Sequence, residues 1–192
     1  MSFRIIADSC CDRTKETEAM NNITFIPLTL SIGEYSISDD ENFNQDDFIS
    51  RVDEAGIIPK TACPAPDAFK KAMECDEDDI YVITITDKLS GTYNSALQGK
   101  MLYEEEGEKK NIHIFNSLAT SGLESLIAEK IYELASSGKS FEEVVSETVV
   151  FIVNHTALYF CLESLDVLNS NGRLYSMAAS ILKKNKLKLI CE

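Results

Sequence analysis

Basic residues are scarce in this sequence. Its 192 residues include 18 Lys and Arg against 32 Asp and Glu, so the formal net charge is −14 at pH 7. Binding to the phosphates of a nucleic acid requires clustered Lys and Arg, whereas an acidic surface most often only keeps a protein in solution. The composition therefore argues against a nucleic-acid-binding protein.

Motifs for metal binding and redox chemistry are also missing. The six cysteines, at positions 10, 11, 63, 75, 161 and 191, form no Cys-x-x-Cys pair, and the two histidines do not stand at zinc-ligand spacing. Asp8 follows a predicted strand, and the acidic run Asp39-Asp40-Glu41 lacks the spacing of a calcium loop. We therefore expect no metal site, and reduced thiols that act as small apolar residues.

Long apolar runs are absent. No stretch reaches the roughly 18 residues that a membrane-spanning helix requires. The N-terminus lacks the basic, apolar and cleavage regions of a signal peptide and leads directly into a strand-like segment at residues 3–7. A cytoplasmic protein without a membrane span is expected.

Catalytic signatures are missing as well. The sequence contains no Gly-x-Ser-x-Gly turn of a serine hydrolase, no Walker loop and no Gly-x-Gly-x-x-Gly segment. His113 lies inside a strand-like stretch and His155 opens another, so we interpret both as structural residues rather than general bases. We expect no catalytic residue.

What is present is an alternation of short apolar runs with amphipathic stretches, which is typical of βαβ units. It predicts an α/β fold: residues 1–155 form a parallel-sheet domain with helices on both faces, and residues 156–192 form the incomplete beginning of a second α/β domain. Strands are predicted at residues 3–7, 23–32, 80–86, 112–115, 157–161 and 187–191, the last without pairing partners. Helices are predicted at residues 44–56, from 66, 90–103, 120–138, from 140 and 165–168, and residues 58–64 are predicted as an extended loop.

The segment Ser90-Gly91-Thr92 follows the most apolar predicted strand and begins a helix. A helix N-terminus offers unpaired N–H groups and the positive end of the helix dipole, which suit an anion such as a carboxylate. Ligands in α/β proteins also gather at strand ends. The alternative interpretation is that Ser90 only caps the helix.

Several segments, in the same order, resemble the DegV family. They are Ile6-Ala7-Asp8-Ser9-Cys10-Cys11-Asp12, Phe25-Ile26-Pro27-Leu28, Pro59-Lys60-Thr61-Ala62-Cys63-Pro64-Ala65-Pro66, Leu89-Ser90-Gly91-Thr92-Tyr93-Asn94-Ser95-Ala96, and Leu158-Tyr159-Phe160 leading to Asn171-Gly172-Arg173-Leu174. The resemblance implies a non-catalytic carrier that buries the chain of a long-chain fatty acid and presents the carboxyl group to a fatty acid kinase. It implies no cofactor apart from the fatty acid.

The resemblance also assigns residues. The hydroxyls of Thr61 and Ser90 would hydrogen-bond the carboxyl group, with Gly91 and Thr92 as further head-group or partner contacts. Arg173 would lie near the head group or the kinase-docking face.

This sequence differs from the family pattern in three places. Family members continue for several tens of residues beyond Glu192, and that part supplies a wall of the lipid tunnel and a histidine close to the carboxyl group, so the chain is expected to be a shortened one. Asn171 stands where a first glycine is usual, and Lys183-Lys184-Asn185-Lys186 replaces a turn rich in small residues. Two alternatives stay open: an acyl-group hydrolase or transferase that uses Ser90, and a truncated interaction module with no ligand.

Overall fold

The structure is a computed structural model that describes residues 2–107, 109–161, 166–172 and 190–191. The chain divides into two compact units. The first unit comprises Met1–Leu28 and Cys63–Thr156, and the second comprises Thr29–Ala62 and Ala157–Glu192. The elements in chain order are β1 (Phe3–Asp8), α1 (Lys15–Glu18), β2 (Ile23–Ile26), β3 (Thr29–Ile32), β4 (Tyr35–Ser38), α2 (Gln45–Ala55), β5 (Lys60–Ala62), α3 (Pro66–Met73), β6 (Asp79–Thr84), α4 (Thr92–Glu105), β7 (Asn111–Asn116), α5 (Gly122–Ser136), α6 (Phe141–His155), β8 (Phe160–Cys161), α7 (Asp166–Ser170) and β9 (Ile190–Cys191).

A parallel sheet with the strand order β2-β1-β6-β7 forms the centre of the first unit. Ile5 of β1 pairs with Ile23 of β2 on one side and with Tyr81 of β6 on the other. Because every strand runs in the same direction, the loops that follow β1, β6 and β7 start from one edge of the sheet.

Helices cover both faces of this sheet. Successive side chains of a strand point to opposite faces, so Ile5 packs with Ile127 of α5 and its neighbours, whereas Ile6 packs with Phe69 of α3 and its neighbours. Both helical residues are fully buried. The predicted α/β fold with helices on both faces of a parallel sheet is confirmed.

The second unit contains a small antiparallel sheet with the strand order β4-β3-β5. Helix α2 begins after Asn44, whose side chain accepts a hydrogen bond from the N–H of Asp47, and ends at Gly56, whose φ of 60° is left-handed. These two cap residues are the ends of the helix predicted at residues 44–56. The helix buries none of its residues within the described part of the chain.

Two strand predictions were wrong. Residues 23–32 form two strands in two different sheets, because Pro27 has no N–H to continue a ladder and the N–H of Leu28 is bonded to the Ser9 hydroxyl instead. The predicted loop at 58–64 contains β5, whose residue Thr61 pairs with Leu30. The predicted last strand lies outside the described residues except for β9, which pairs with β8 rather than lacking a partner.

Helix α6 also differs from the prediction. His155 is its last residue instead of opening a strand. The buried row is Val144, Thr148 and Ile152 at four-residue spacing, whereas the apolar side chain of Val149 is 42% exposed. The buried face of α6 is therefore narrower than the apolar pattern indicated.

The division into a first domain at residues 1–155 and the beginning of a second domain at residues 156–192 stays a prediction. The compact units differ from it, because Thr29–Ala62 groups with the residues after Thr156. Within the described ranges, no helix has both the length and the apolar character that crossing a membrane requires.

Candidate functional site

Asp8 connects the loops that leave the carboxyl edge of the parallel sheet. This buried residue ends β1, and its Oδ1 accepts a hydrogen bond from the N–H of Cys10 at 2.8 Å. Its Oδ2 accepts another from the N–H of Ile85, just after β6, also at 2.8 Å. Both carboxylate oxygens therefore accept hydrogen bonds from backbone N–H groups, so Asp8 fixes the start of the loop that leads to Ser90.

Within the described ranges, no group of three or more His, Cys, Asp or Glu side chains is placed to hold a metal ion.

The loop from β6 to α4 is further held by backbone hydrogen bonds. The N–H of Thr86 donates to the carbonyl of Ala119 at 2.9 Å, in the loop after β7. The N–H of Ser90 donates back to the carbonyl of Thr86 at 3.2 Å. Ser90 therefore has a defined position relative to both neighbouring strands.

Helix α4 begins one residue later than a Ser90 cap would require. Its N-cap is Gly91, which provides no side-chain cap, and its carbonyl accepts the N–H of Ser95 at 2.9 Å. The Ser90 hydroxyl lies 3.4 Å from the N–H of Thr92, a long contact. Capping alone is therefore a poor account of Ser90.

The hydroxyls of Ser90 and Thr92 lie 2.8 Å apart. Ser90 is half-buried, whereas Thr92 is fully buried. Within the described part of the chain, Thr92 is the hydrogen-bond partner of Ser90 Oγ, and no histidine or carboxylate side chain contacts that oxygen. Among the described residues, therefore, no general base is hydrogen-bonded to Ser90.

The first turn of α4 packs against the segment that precedes α3. The hydroxyl of Ser95 donates to the carbonyl of Pro64, and a Cβ on the exposed Gly91 would lie 3.5 Å from the Sγ of Cys63. Position 99 requires glycine, because a Cβ there would lie only 2.6 Å from the carbonyl oxygen of Pro66. This close approach of α3 and α4 holds the N-terminus of α4 in place.

The loop between β7 and α5 contacts the loop between β1 and α1. Leu118 and Ser121 both have left-handed backbone, with φ of 54° and 59°. Ser121 donates its N–H to the carbonyl of Cys10 at 2.8 Å and its hydroxyl to Asp12 Oδ2 at 2.9 Å. These two bonds stabilise the loop in the conformation that contains the unusual backbone of Ser121.

Glu124 is a buried carboxyl group that the sequence analysis missed. It is 0% exposed, and neither side-chain oxygen has a hydrogen-bond partner among the residues that the structure describes. Burial, together with the negative charges of the nearby Asp8 and Asp12 carboxylates, raises its pKa from 4.5 to about 10. Its spacing from Ile127 and Ile131, three and seven residues later on the buried face of α5, was the available signal.

Cys11 is the most perturbed thiol of the described residues. Burial raises its pKa to about 12, with the carboxylates of Glu124, Asp8 and Asp12 adding to the effect. Its Sγ lies 3.7 Å from the hydroxyl of Ser125. A thiol with such a pKa is almost entirely protonated at neutral pH and is a poor nucleophile.

The structure brings together only part of the predicted site. Ser90, Gly91 and Thr92 are adjacent in the first unit, at the start of α4. Thr61 belongs to the second unit, where it is exposed on β5. Arg173, Lys183-Lys184-Asn185-Lys186 and the residues between them lie outside the described residues.

Comparison with known sequences identifies relatives along the whole chain. A family model described as an uncharacterised protein of the DegV family matches residues 2–192. A DegV domain-containing protein of Streptococcus gordonii is 34% identical over 194 residues, which cover 100% of this chain and 68% of the relative.

Two solved structures are similar to this chain. A DegV family protein from Ruminococcus gnavus, refined with vaccenic acid, has a TM-score of 0.86 and 40% identity over 91% of this chain and 62% of its own. The Fatty Acid Kinase (Fak) B3 protein of Streptococcus pneumoniae, loaded with linoleic acid, has a TM-score of 0.88 and 33% identity over 99% of this chain and 68% of its own. The chain thus spans 62% to 68% of the length of these three proteins.

Proposed function

This chain belongs to the DegV family, and on that premise we propose that it is a non-catalytic carrier of a long-chain fatty acid. The R. gnavus and S. pneumoniae neighbours are each described with a long-chain unsaturated fatty acid. In this proposal the acyl chain is buried, and the carboxyl group is presented to a fatty acid kinase. No cofactor apart from the fatty acid is proposed.

The position of Ser90 carries the proposal. Its half-buried hydroxyl stands before the first turn of the 14-residue helix α4, at the carboxyl edge of a parallel sheet. The unpaired N–H groups and the helix dipole favour an anion there, and a hydroxyl can add a charge-assisted hydrogen bond. We propose that the hydroxyl of Thr61 donates a second hydrogen bond to the carboxyl group of the ligand, and that Gly91 and Thr92 are supporting residues.

The acyl chain and the carboxyl group have different roles in binding. Burial of each CH₂ group contributes about 0.8 kcal/mol, so most of the affinity comes from the tail. A small number of hydrogen bonds orients the carboxyl group and selects acids over other amphiphiles.

The kinase partner is proposed from the name of the S. pneumoniae neighbour, a Fatty Acid Kinase B3 protein. Arg173 is proposed to lie near the carboxyl group or on the kinase-docking face. We place the carrier in the cytoplasm, where thiols such as that of Cys63 remain reduced.

The test is a comparison of fatty-acid affinity between the wild type and the double variant Thr61→Val with Ser90→Ala. In this proposal each hydroxyl hydrogen-bonds the charged carboxylate of the ligand. The loss of either hydroxyl is therefore expected to weaken palmitate binding by about tenfold or more. The matched control removes two exposed hydroxyls elsewhere, Ser36→Ala in the second unit and Ser146→Ala in the first. Unchanged affinity in the double variant would contradict the proposal.

A second measurement separates a carrier from an enzyme. The carrier should turn over no acyl ester by itself, and palmitate should be phosphorylated only when a fatty acid kinase and ATP are added. Turnover of a long-chain ester that disappears in Ser90→Ala would support the hydrolase or transferase alternative instead.

A further inference from the structure

Two hydroxyl groups at the start of α4 contact each other from different environments. Ser90 Oγ and Thr92 Oγ1 lie 2.8 Å apart, and either atom could be the donor. Ser90 is half-buried, whereas Thr92 is 0% exposed. The difference in burial decides which group donates.

Donation by Thr92 satisfies both hydroxyls. Ser90 Oγ is the one hydrogen-bond acceptor at Thr92 Oγ1 within the described part of the chain. If Ser90 were the donor, the hydrogen of the Thr92 hydroxyl would be buried without an acceptor, which is unfavourable. If Thr92 is the donor, its hydrogen is bonded and the hydrogen of Ser90 is directed elsewhere.

The backbone supports the same direction. The N–H of Thr92 also points to Ser90 Oγ, at 3.4 Å. The oxygen of Ser90 therefore faces two donors of one residue, the hydroxyl and the amide of Thr92. A hydroxyl oxygen has two acceptor lone pairs and one hydrogen, so only the hydrogen of Ser90 is available outside this pair.

We propose that Thr92 is a positioning residue that holds the Ser90 hydroxyl as a hydrogen-bond donor towards the ligand. This inference rests on the proposed function, because it deepens the assignment of Ser90 to the carboxyl group. It revises the role of Thr92 from a head-group contact to a residue that acts through Ser90. An ionised carboxylate only accepts hydrogen bonds, and its charge makes such a bond stronger than one to a neutral hydroxyl, so a fixed donor favours an acid over an alcohol.

The variants Thr92→Val and Thr92→Ser separate the hydroxyl from the shape of the side chain. Valine retains the branched shape without a donor, whereas serine retains the donor. Affinities for palmitate and for hexadecan-1-ol, which has the same tail and a neutral head group, are measured for each variant. We expect Thr92→Val to weaken palmitate binding by about fivefold to twentyfold, hexadecanol binding to change by less than about twofold, and Thr92→Ser to restore palmitate binding.

A double-mutant cycle with Ser90→Ala tests whether Thr92 acts through Ser90. Once the Ser90 hydroxyl is absent, Thr92→Val should have no further effect on palmitate affinity. Equal effects of Thr92→Val in the presence and absence of the Ser90 hydroxyl would overturn the proposal. Wild-type affinity for palmitate in Thr92→Val would overturn it as well.

A ligand-free measurement keeps this inference separate from the proposed function. The buried, hydrogen-bonded hydroxyl proton of Thr92 should exchange slowly with water and give an NMR signal close to the Ser90 β-protons, whereas the Ser90 hydroxyl proton should exchange rapidly. The opposite assignment would overturn the inference whether or not the chain binds palmitate. A wild-type chain that binds no palmitate would contradict the proposed function alone.

Discussion

Replacing Glu124 by glutamine should change how the stability of the protein depends on pH. Glu124 is fully buried on α5, and neither of its side-chain oxygens has a hydrogen-bond partner in the described part of the chain. Burial, with the Asp8 and Asp12 carboxylates nearby, raises its pKa from 4.5 to about 10. The folded protein therefore holds a proton on Glu124 at neutral pH, and the unfolded chain does not.

The sign and size of the effect follow from proton linkage. Between the unfolded and folded pKa values the folded state binds one more proton than the unfolded state, so stability falls as pH rises. The contribution of Glu124 is complete below the unfolded pKa and is lost as the pH increases towards the folded pKa. The slope is about 1.4 kcal/mol per pH unit, which amounts to about 3 kcal/mol between pH 6 and pH 8.

Urea unfolding of the wild type and of Glu124→Gln at several pH values measures this slope. The amide does not titrate, so the variant should gain about 3 kcal/mol relative to the wild type between pH 6 and pH 8. The intrinsic cost or benefit of the amide is independent of pH and cancels in that difference. Glu133→Gln, an exposed position on the same helix, is the matched control and should leave the slope unchanged. Parallel pH profiles for the wild type and Glu124→Gln would refute the reasoning.

Three further substitutions, each followed by urea unfolding, test the structural roles of a buried carboxylate, a helix contact and a helix cap. Asp8→Asn replaces an acceptor with a donor opposite a backbone N–H, and should lower the free energy of unfolding by about 1–3 kcal/mol. Gly99→Ala puts a Cβ 2.6 Å from the Pro66 carbonyl oxygen, so it should lower the free energy of unfolding by about 1–3 kcal/mol through separation of α3 and α4. Ser140→Ala removes the hydroxyl of the capping box at α6, and should cost about 1 kcal/mol.

Matched controls come from similar positions with looser surroundings. Gly122→Ala places its Cβ 3.6 Å from the nearest atom and should have little effect or stabilise α5. Asp87→Asn and Ser146→Ala change exposed side chains and should stay within about 0.5 kcal/mol of the wild type. Losses in the controls that equal those of the test variants would contradict the structural explanation.

The parallel sheet could be predicted because its signals are local. The packing of Ile5 and Ile6 on opposite faces of the sheet follows from strand geometry, and the capping box of Ser140 and Glu143 is visible in the sequence. Strand β5 could not be predicted in the same way. Its three residues have no pattern of their own and form a strand because they pair with β3.

The candidate site was predicted in part. Ser90 was identified by its place between an apolar strand and a helix, but its relation to Thr92 depends on a loop conformation that Asp8, at the end of β1, and Ala119, after β7, stabilise by hydrogen bonds. Glu124 was missed because a carboxylate in a helix is usually exposed, whereas here the folded structure buries it near Asp8 and Asp12 and so raises its pKa. The roles of Thr61 and Arg173 remain predictions.

Mass spectrometry of the organic extract of the purified protein, beside a native mass spectrum of the intact chain, tests the carrier function most directly. The account predicts one C14–C18 fatty acid per chain, released on extraction and seen as added mass in the native spectrum. A protein that carries no acid after purification, and that takes up none when palmitate is added, would contradict it.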